Sequence, residues 1–481
     1  MSSPPDIRPW DELRVVARLS LPIALAQLGL VSMSLVDTAI VGRASVEDLA
    51  ATAVGRSILF AISAVGMGVV SALDPLAAQA VGAGKPERAY QSLRAGLQAA
   101  ALITLPTILI SFAVTLLLGP LGVDLTLLPR VHAYLLGGAP GVFGYLAFLA
   151  GKSFLQAHGA TRPALVASLA ANIVNAVVCS LLVRGDDALL AIGLPGVGLP
   201  RLGALGAGIA SSIGSLLLAA IVLQAARAFR PVSRPSPSPY DLPPADLPPV
   251  DLAPADLPPA AAAAEPLPIT LATVLRLGSP VGFQLLAEVG VFSLVALLAG
   301  RLGPTVLSAH QIAVGLASFA FMGTLGVGGA TAVRVGHAIG AGRSPRQSGL
   351  VGLALGTVVM SVGATLFALI PRPLIGIFTT DAEVIEVGAR LLRIASLFAF
   401  FDGTQAVASG ALRGAGDVRF PFLANVAAHW LVGLPIALTL GFGFHLGAPG
   451  LWWGLTAGLV TVSILLAARF IHLSRAAIAR V

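Results

Sequence analysis

The chain has 481 residues, of which 56% are hydrophobic and only 11% charged, with a mean hydropathy of +0.91. Soluble domains carry about 25% charged residues. This composition therefore excludes a soluble enzyme, a nucleic-acid-binding domain and a disordered scaffold, and places the chain in a bilayer. The +7 net charge, from 29 Lys and Arg against 22 Asp and Glu, fits loops facing anionic lipid rather than nucleic acid. The single Cys179 leaves no intramolecular disulfide and no Cys-based metal cage. Residues 1–11 are polar and Pro-rich, and the first apolar stretch is too long for a signal h-region, so no cleaved leader is expected.

A spanning helix needs about 20 largely apolar residues. Twelve stretches qualify in chain order: 13–41, 49–73, 91–118, 131–150, 163–183, 203–228, 271–298, 307–332, 349–370, 384–410, 421–441 and 448–470. Runs this long lack the alternation of a membrane barrel, so the fold class is all-α. Of the 29 Lys and Arg, 20 fall on the side that holds both termini. The other nine, Arg43, Arg56 and Arg130 among them, fall on the opposite side, so both termini are expected to be cytoplasmic. The expected organisation is a tail over 1–12, a six-span lobe over 13–228, a cytoplasmic linker over 229–270, a second six-span lobe over 271–472, and a tail over 473–481. Within the linker, Tyr240–Pro259 repeats Asp-Leu-Pro-Pro-like units and reads as an extended, semi-stiff spacer.

The two lobes are copies. A shift of 258 residues places Leu19, Pro22, Gly42, Arg43, Gly68 and Gly82 on Leu277, Pro280, Gly300, Arg301, Gly326 and Gly340. Six spans is an even number, so both copies insert the same way up. A pseudo-twofold axis along the membrane normal is expected, with the substrate site between the lobes. Such a scaffold can rock between forms open to either side.

An Asp or Glu at mid-helix costs roughly 2.5–3.5 kcal/mol on insertion scales. Asp37 in span 1, Glu288 in span 7 and Asp402 in span 10 all carry that cost. Polar neighbours follow at helical spacing: Gln284 before Glu288, Gln405 and Ser409 after Asp402, and Asn172, Asn175 and Cys179 along span 5. Asn172, Asn175, Gln284 and Gln405 are thus candidates to line a wet cavity. The repeat duplicates the scaffold but not the charge, for Asp37 falls on Val295, Glu288 on Leu30 and Asp402 on Gly144. That asymmetry points to ion and substrate coupling rather than folding. Asp74, ahead of Pro75, reads as a cap or kink. His310 reads as an interfacial hydrogen-bonder, and Trp430 is placed for packing or for the cavity. The glycine-rich 323–328 and 336–342 follow no strand and are not nucleotide cradles. No Walker sequence is present, so the energy must come from an ion gradient.

Val36-Asp37-Thr38-Ala39-Ile40-Val41-Gly42, Ala309-His310-Gln311-Ile312-Ala313 and Ala332-Val333-Arg334-Val335-Gly336 resemble signatures of the multidrug and toxic compound extrusion (MATE) family. Glu288–Phe292, Asp402–Gln405 and Leu412–Asp417 resemble its NorM-like branch. The resemblance implies twelve helices in two lobes that export organic cations or amphiphiles in exchange for H⁺ or Na⁺. It places Asp37 on the first-helix acid tied to proton or cation coupling. Glu288 and Asp402 fall on the C-lobe acids associated with cation binding, a possible Na⁺ site. Cys179 stands where the family often has Asn or Asp, which weakens the N-lobe as a metal-ion cage. The expectation is a monomeric, multi-pass protein of a bacterial inner membrane, moving a small amphiphilic substrate, with no cofactor beyond the coupling ion, no nucleic-acid partner and no enzymatic activity. The competing readings are a flippase of a lipid-linked precursor, which would favour basic cavity residues, and a passive channel.

Overall fold

The structure is a computed structural model that describes residues 8–120, 124–191, 193–231 and 268–481. The repeat read at 240–259 lies outside the described residues. Among them every regular element is helical, and eleven segments are long and apolar enough to cross a membrane. In chain order, spans 1 to 6 are Pro9–Ala44, Val46–Gly82, Pro86–Leu117, Leu125–Ala157, Arg162–Arg184 and Gly203–Phe229. Spans 7 to 9 are Leu271–Arg301, Pro304–Gly340 and Arg346–Leu369, and spans 11 and 12 are Arg419–Gly443 and Ala448–Leu473. Span 10 lies in a helix of 33 residues, Ala382–Gly414, as long as the others. The polar residues it turns inward, Asp402 and Gln405, lower its hydropathy.

Local chemistry sets the breaks. Ser45 caps span 2 by accepting the Asp48 N–H, Asp381 caps span 10 by accepting from Glu383 and Val384, and Thr270 forms a capping box with Thr273 at the start of span 7. Span 2 is interrupted after Val70 and resumes at Leu73, because Pro75 has no N–H to give the preceding turn. Asp74 sits at that break, as its sequence context predicts. Span 11 passes through two π-helical turns, Ala427–Gly433 and Thr439–Gly443, on either side of Pro435. Most helices run beyond their predicted ends, span 8 by a full turn past residue 332. The amphipathic ends carry Arg and His that a hydropathy reading trims. His310 differs from expectation: it is buried in the C-lobe core, where its Nδ1 accepts from Trp452 Nε1 at 3.2 Å.

The lobes meet by close backbone approach, and the contacts obey the repeat. A Cβ built on Gly68 of span 2 would lie 2.2 Å from Gly282 N of span 7, and one on Gly326 of span 8 would meet Ala24 of span 1 at 2.8 Å. Gly326 and Gly282 are the repeat equivalents of Gly68 and Ala24, so each contact is the other's copy. Spans 2 and 8 also touch reciprocally. A Cβ on Gly82 would lie 2.4 Å from His337 O, and one on Gly340 would lie 2.1 Å from Gln79 O. Gly82 maps onto Gly340 and Gln79 onto His337, which is what a twofold axis between the lobes requires.

These contacts occupy the halves of the helices nearest the termini. Polar bonds reinforce the same half: buried Glu12 of span 1 takes Arg334 Nε at 2.9 Å, Arg334 Nη2 at 2.6 Å and Ser348 Oγ at 2.7 Å. Gln79 Nε2 donates to Gly414 O at 3.0 Å, and Asp74 lies 3.9 Å from Arg413. The lobes are therefore sealed on the side of the termini. Small residues allow this because helices in lipid associate through packing and hydrogen bonds.

Gly68→Val should force spans 2 and 7 apart and cost about 1–3 kcal/mol as overpacking. Gly315→Val, where a Cβ meets nothing within 4 Å, serves as the control. Thermal unfolding in detergent should show a Tm several degrees lower for the first only, and equal Tm values would contradict the seam.

Candidate functional site: two carboxylate sites, one in each lobe

Asp37 is buried inside the N-lobe and is held by neutral donors from two other spans. Asn175 Nδ2 of span 5 donates to its Oδ1 in a short bond, and Ser211 Oγ of span 6 donates to Oδ2 at 3.2 Å. Cys179, one turn beyond Asn175, lies within hydrogen-bonding reach of the same carboxylate. Span 5 presents this row because Asn175 and Cys179 are four residues apart and share its buried stripe. Asn172 stands beside that row. Its amide donates to Gly29 O and Ser168 O, both at 2.7 Å, which ties span 5 to span 1 without touching Asp37.

Arg56 is the group that position in the sequence misassigns. Charge counting places it among the bases of a loop opposite the termini. In the structure it stands on span 2, well inside the helix Val46–Val70. Its Nη1 donates to Ser34 O at 3.0 Å and to Thr38 Oγ1 at 3.1 Å, so it grips span 1 on both sides of Asp37. It acts on Asp37 through space, and among the described residues Asp37 forms no ion pair. Arg56 also walls a cavity of about 150 Å³ with Phe60, Tyr134, Tyr145, Ser211 and Ser215. Ser211 thus joins the cavity to the Asp37 cage. None of Asn172, Asn175, Gln284 and Gln405 borders this cavity in the present conformation.

The C-lobe holds the other two acids. Asp402 is buried on span 10, with Gln405 buried one turn on, and Glu288 is half-buried on span 7, one turn after buried Gln284. Glu288 and Asp402 lie close enough for their charges to interact. Phe292 and Phe398 meet edge to face at 6.1 Å and fix span 7 against span 10 about one turn from each acid. Trp430 of span 11 donates its indole N–H to Ala287 O at 3.2 Å, beside Glu288, and the missing side chain of Gly290 leaves room for its ring. Among the described residues neither acid forms an ion pair. No set of three His, Cys, Asp or Glu gathers there for a metal ion.

The three acids accordingly form two sites rather than one. Sequence reasoning also missed a polar pair on span 11. Asn425 and His429, both buried, are linked by His429 Nδ1 and Asn425 O at 3.0 Å. Among the described residues the Asn425 amide and His429 Nε2 find no further partner. The i, i+4 spacing inside an apolar run was the available signal.

Comparison with known proteins agrees with this architecture. The MatE family model matches the chain twice, over residues 22–181 and 280–439, two stretches that begin and end 258 residues apart. The chain is 35% identical to the probable multidrug resistance protein NorM of Deinococcus radiodurans, over 98% of each chain. It is likewise 35% identical to the multidrug resistance protein NorM of Burkholderia vietnamiensis, over 94% of this chain and 92% of that one. In fold it is similar to the eukaryotic MATE transporter AtDTX14, with a TM-score of 0.78 at 22% identity over 97% of this chain and 98% of that one. It is similarly close to the Vibrio cholerae MATE transporter VcmN in its bent form, with a TM-score of 0.77 at 19% identity and the same coverage. With the family model covering most of both lobes, and relatives matching nearly from end to end, the chain belongs to the MatE family, the MATE transporters.

Proposed function

We propose that the chain is a secondary antiporter of a cell membrane, the inner membrane of a bacterium, with both termini cytoplasmic. It exports amphiphilic, cationic small molecules in exchange for H⁺ or Na⁺. The observation that carries this reading is the pair of intramembrane carboxylate sites, Asp37 in one lobe and Glu288 with Asp402 in the other. Buried acids without fixed countercharges are costly, and such residues mark ion and substrate pathways.

The geometry suits exchange. Asp37 as a carboxylate accepts from both Asn175 and Ser211. Once protonated, one of its oxygens must donate, so one of these bonds has to be exchanged and the contacts of span 1 with spans 5 and 6 change. In the C-lobe, a cation shared by Glu288 and Asp402 would relieve the repulsion of two neighbouring negative charges. With the termini cytoplasmic, the seal between lobes lies on the inner side, and the form described is closed to the cytoplasm. Coupling requires that the ion bind one form better than the other, since equal affinity shifts nothing. A second reading, a flippase of an anionic lipid-linked precursor, is favoured by one observation, the Arg56 guanidinium in the N-lobe cavity wall.

Proteoliposomes loaded with ethidium, given a proton gradient alone and then a sodium gradient alone, test the reading. Uphill movement is expected with at least one gradient. Asp37→Asn and Glu288→Gln should each slow it by roughly 5–150-fold, the span of a coupling free energy of about 1–3 kcal/mol. Wild-type rates in both variants, or movement only down its own gradient, would refute antiport. Movement of a fluorescent anionic lipid that stops in Arg56→Gln while ethidium stays put would establish the flippase instead.

The seal is tested separately. Glu12→Gln leaves Arg334 without its carboxylate, and breaking a buried pair costs roughly 3–5 kcal/mol. A cysteine placed by Ser20→Cys at the seam should then react with a membrane-impermeant maleimide at least about tenfold faster from the terminus side. Unchanged labelling would show that the ion pair does not hold the lobes together.

A further inference from the structure

On the side of the termini, where the two lobes adjoin, lies a cavity of about 740 Å³ that the transport reading does not use. Its bases come from separate elements: Arg88 from the start of span 3, Arg276 from the first turns of span 7, Arg419 from the start of span 11, and Arg480 from the tail. Lys85 borders a smaller cavity that shares Arg88 and Arg480. The acid in the wall is Asp417, and its carboxylate is taken up by Arg469 Nε at 2.9 Å and by the Phe420 N–H at 3.3 Å. Four guanidinium groups therefore face one space whose carboxylate already has its own arginine. Leu76, Ile269, Leu277 and Val418 form the rest of the wall and make it apolar.

Like charges gathered around a cavity repel unless an anion lies among them, and the N-terminal ends of spans 3, 7 and 11 add their positive dipole ends on the same side. The first turns of spanning helices lie at the depth of lipid headgroups, where basic pockets between helices hold anionic ones. An apolar wall next to the arginines is what distinguishes a lipid from a free anion. We propose that this cavity is a binding site for an anionic phospholipid, whose phosphate sits among Arg88, Arg276, Arg419 and Arg480 while its chains run along Leu76, Ile269 and Leu277. Arg88 belongs to one lobe and Arg276 and Arg419 to the other, so the bound lipid bridges the seam. It favours the sealed arrangement by the difference in its affinity for the two forms.

The test uses the purified full chain in detergent, read by native mass spectrometry and thermal unfolding. Dioleoylphosphatidylglycerol should remain bound and raise the Tm by several degrees, whereas dioleoylphosphatidylcholine should do neither. The effect should weaken as salt rises. The double variant Arg276→Gln/Arg419→Gln, at two exposed positions, should keep the lipid-free Tm and lose phosphatidylglycerol affinity by about tenfold or more, roughly 1.4 kcal/mol. Arg475→Gln, an exposed base outside the cavity, should behave as wild type. Equal retention of the two lipids, or full affinity in the double variant, would overturn the proposal. An equal Tm shift from inorganic phosphate alone would make the site one for a free anion and overturn it as well. So would lipid binding that appears only after Asp241, Asp246, Asp251 and Asp256 are changed to Asn, because the linker's own acids would then be the occupant.

Discussion

The structure depends on how two lobes can be held together in lipid without being locked. The bilayer offers no hydrophobic force between helices, so association must come from close packing and from the few polar bonds that lipid cannot supply. The seam uses both. Glycines at 68, 82, 282, 326 and 340 let backbones approach, and the Glu12–Arg334–Ser348 cluster adds a charged bond at the same level. Contacts of this kind are specific in geometry yet few in number. A rocking motion about the twofold axis has to exchange these alone, while the packed interior of each lobe stays intact.

Duplication explains why the seam is symmetric and why the sites are not. Every inter-lobe glycine contact has its copy at the repeat offset, down to Gly82 on His337 and Gly340 on Gln79. A symmetric seam can open equally on both sides of the axis. The carboxylates break that symmetry: one lobe holds a single acid inside a cage of neutral donors, and the other holds two acids near each other. Under antiport, the first arrangement suits a proton, whose arrival changes which atoms donate. The second suits a shared positive charge. Two chemically different sites on one symmetric scaffold allow one lobe to respond to the ion while the other governs the substrate.

Much of this was legible in the sequence because the bilayer imposes strong rules. Span number, lobe boundaries and the repeat follow from runs of apolar residues and from one offset, and the three acids stand out because nothing else at that depth carries charge. Helix ends were less legible, since the seal is built from the amphipathic extensions that hydropathy trims, such as Gly336–Gly340 and Gln79. Partners were least legible. Nothing in the local pattern distinguishes Asn175, which bonds Asp37, from Asn172, which bonds the Gly29 carbonyl. Both are polar residues on one helix, and only the position of span 1 separates them.

Arg56 shows why counting bases by loop fails inside a lobe. Sorting by position assigns a charge near a helix start to the aqueous side, but an arginine side chain is long enough to reach back along its own helix and grip the next one. Here it holds span 1 at Ser34 and Thr38, the residues that flank Asp37, so the charge and the acid belong to one framework although they do not touch. Any movement of span 1 that accompanies a change at Asp37 must therefore shift Arg56, and with it the wall of the cavity that Arg56, Tyr134 and Ser211 share. Under antiport, this is a direct mechanical route from the ionisable site to the space a substrate would occupy. It needs no relay beyond one helix and one guanidinium.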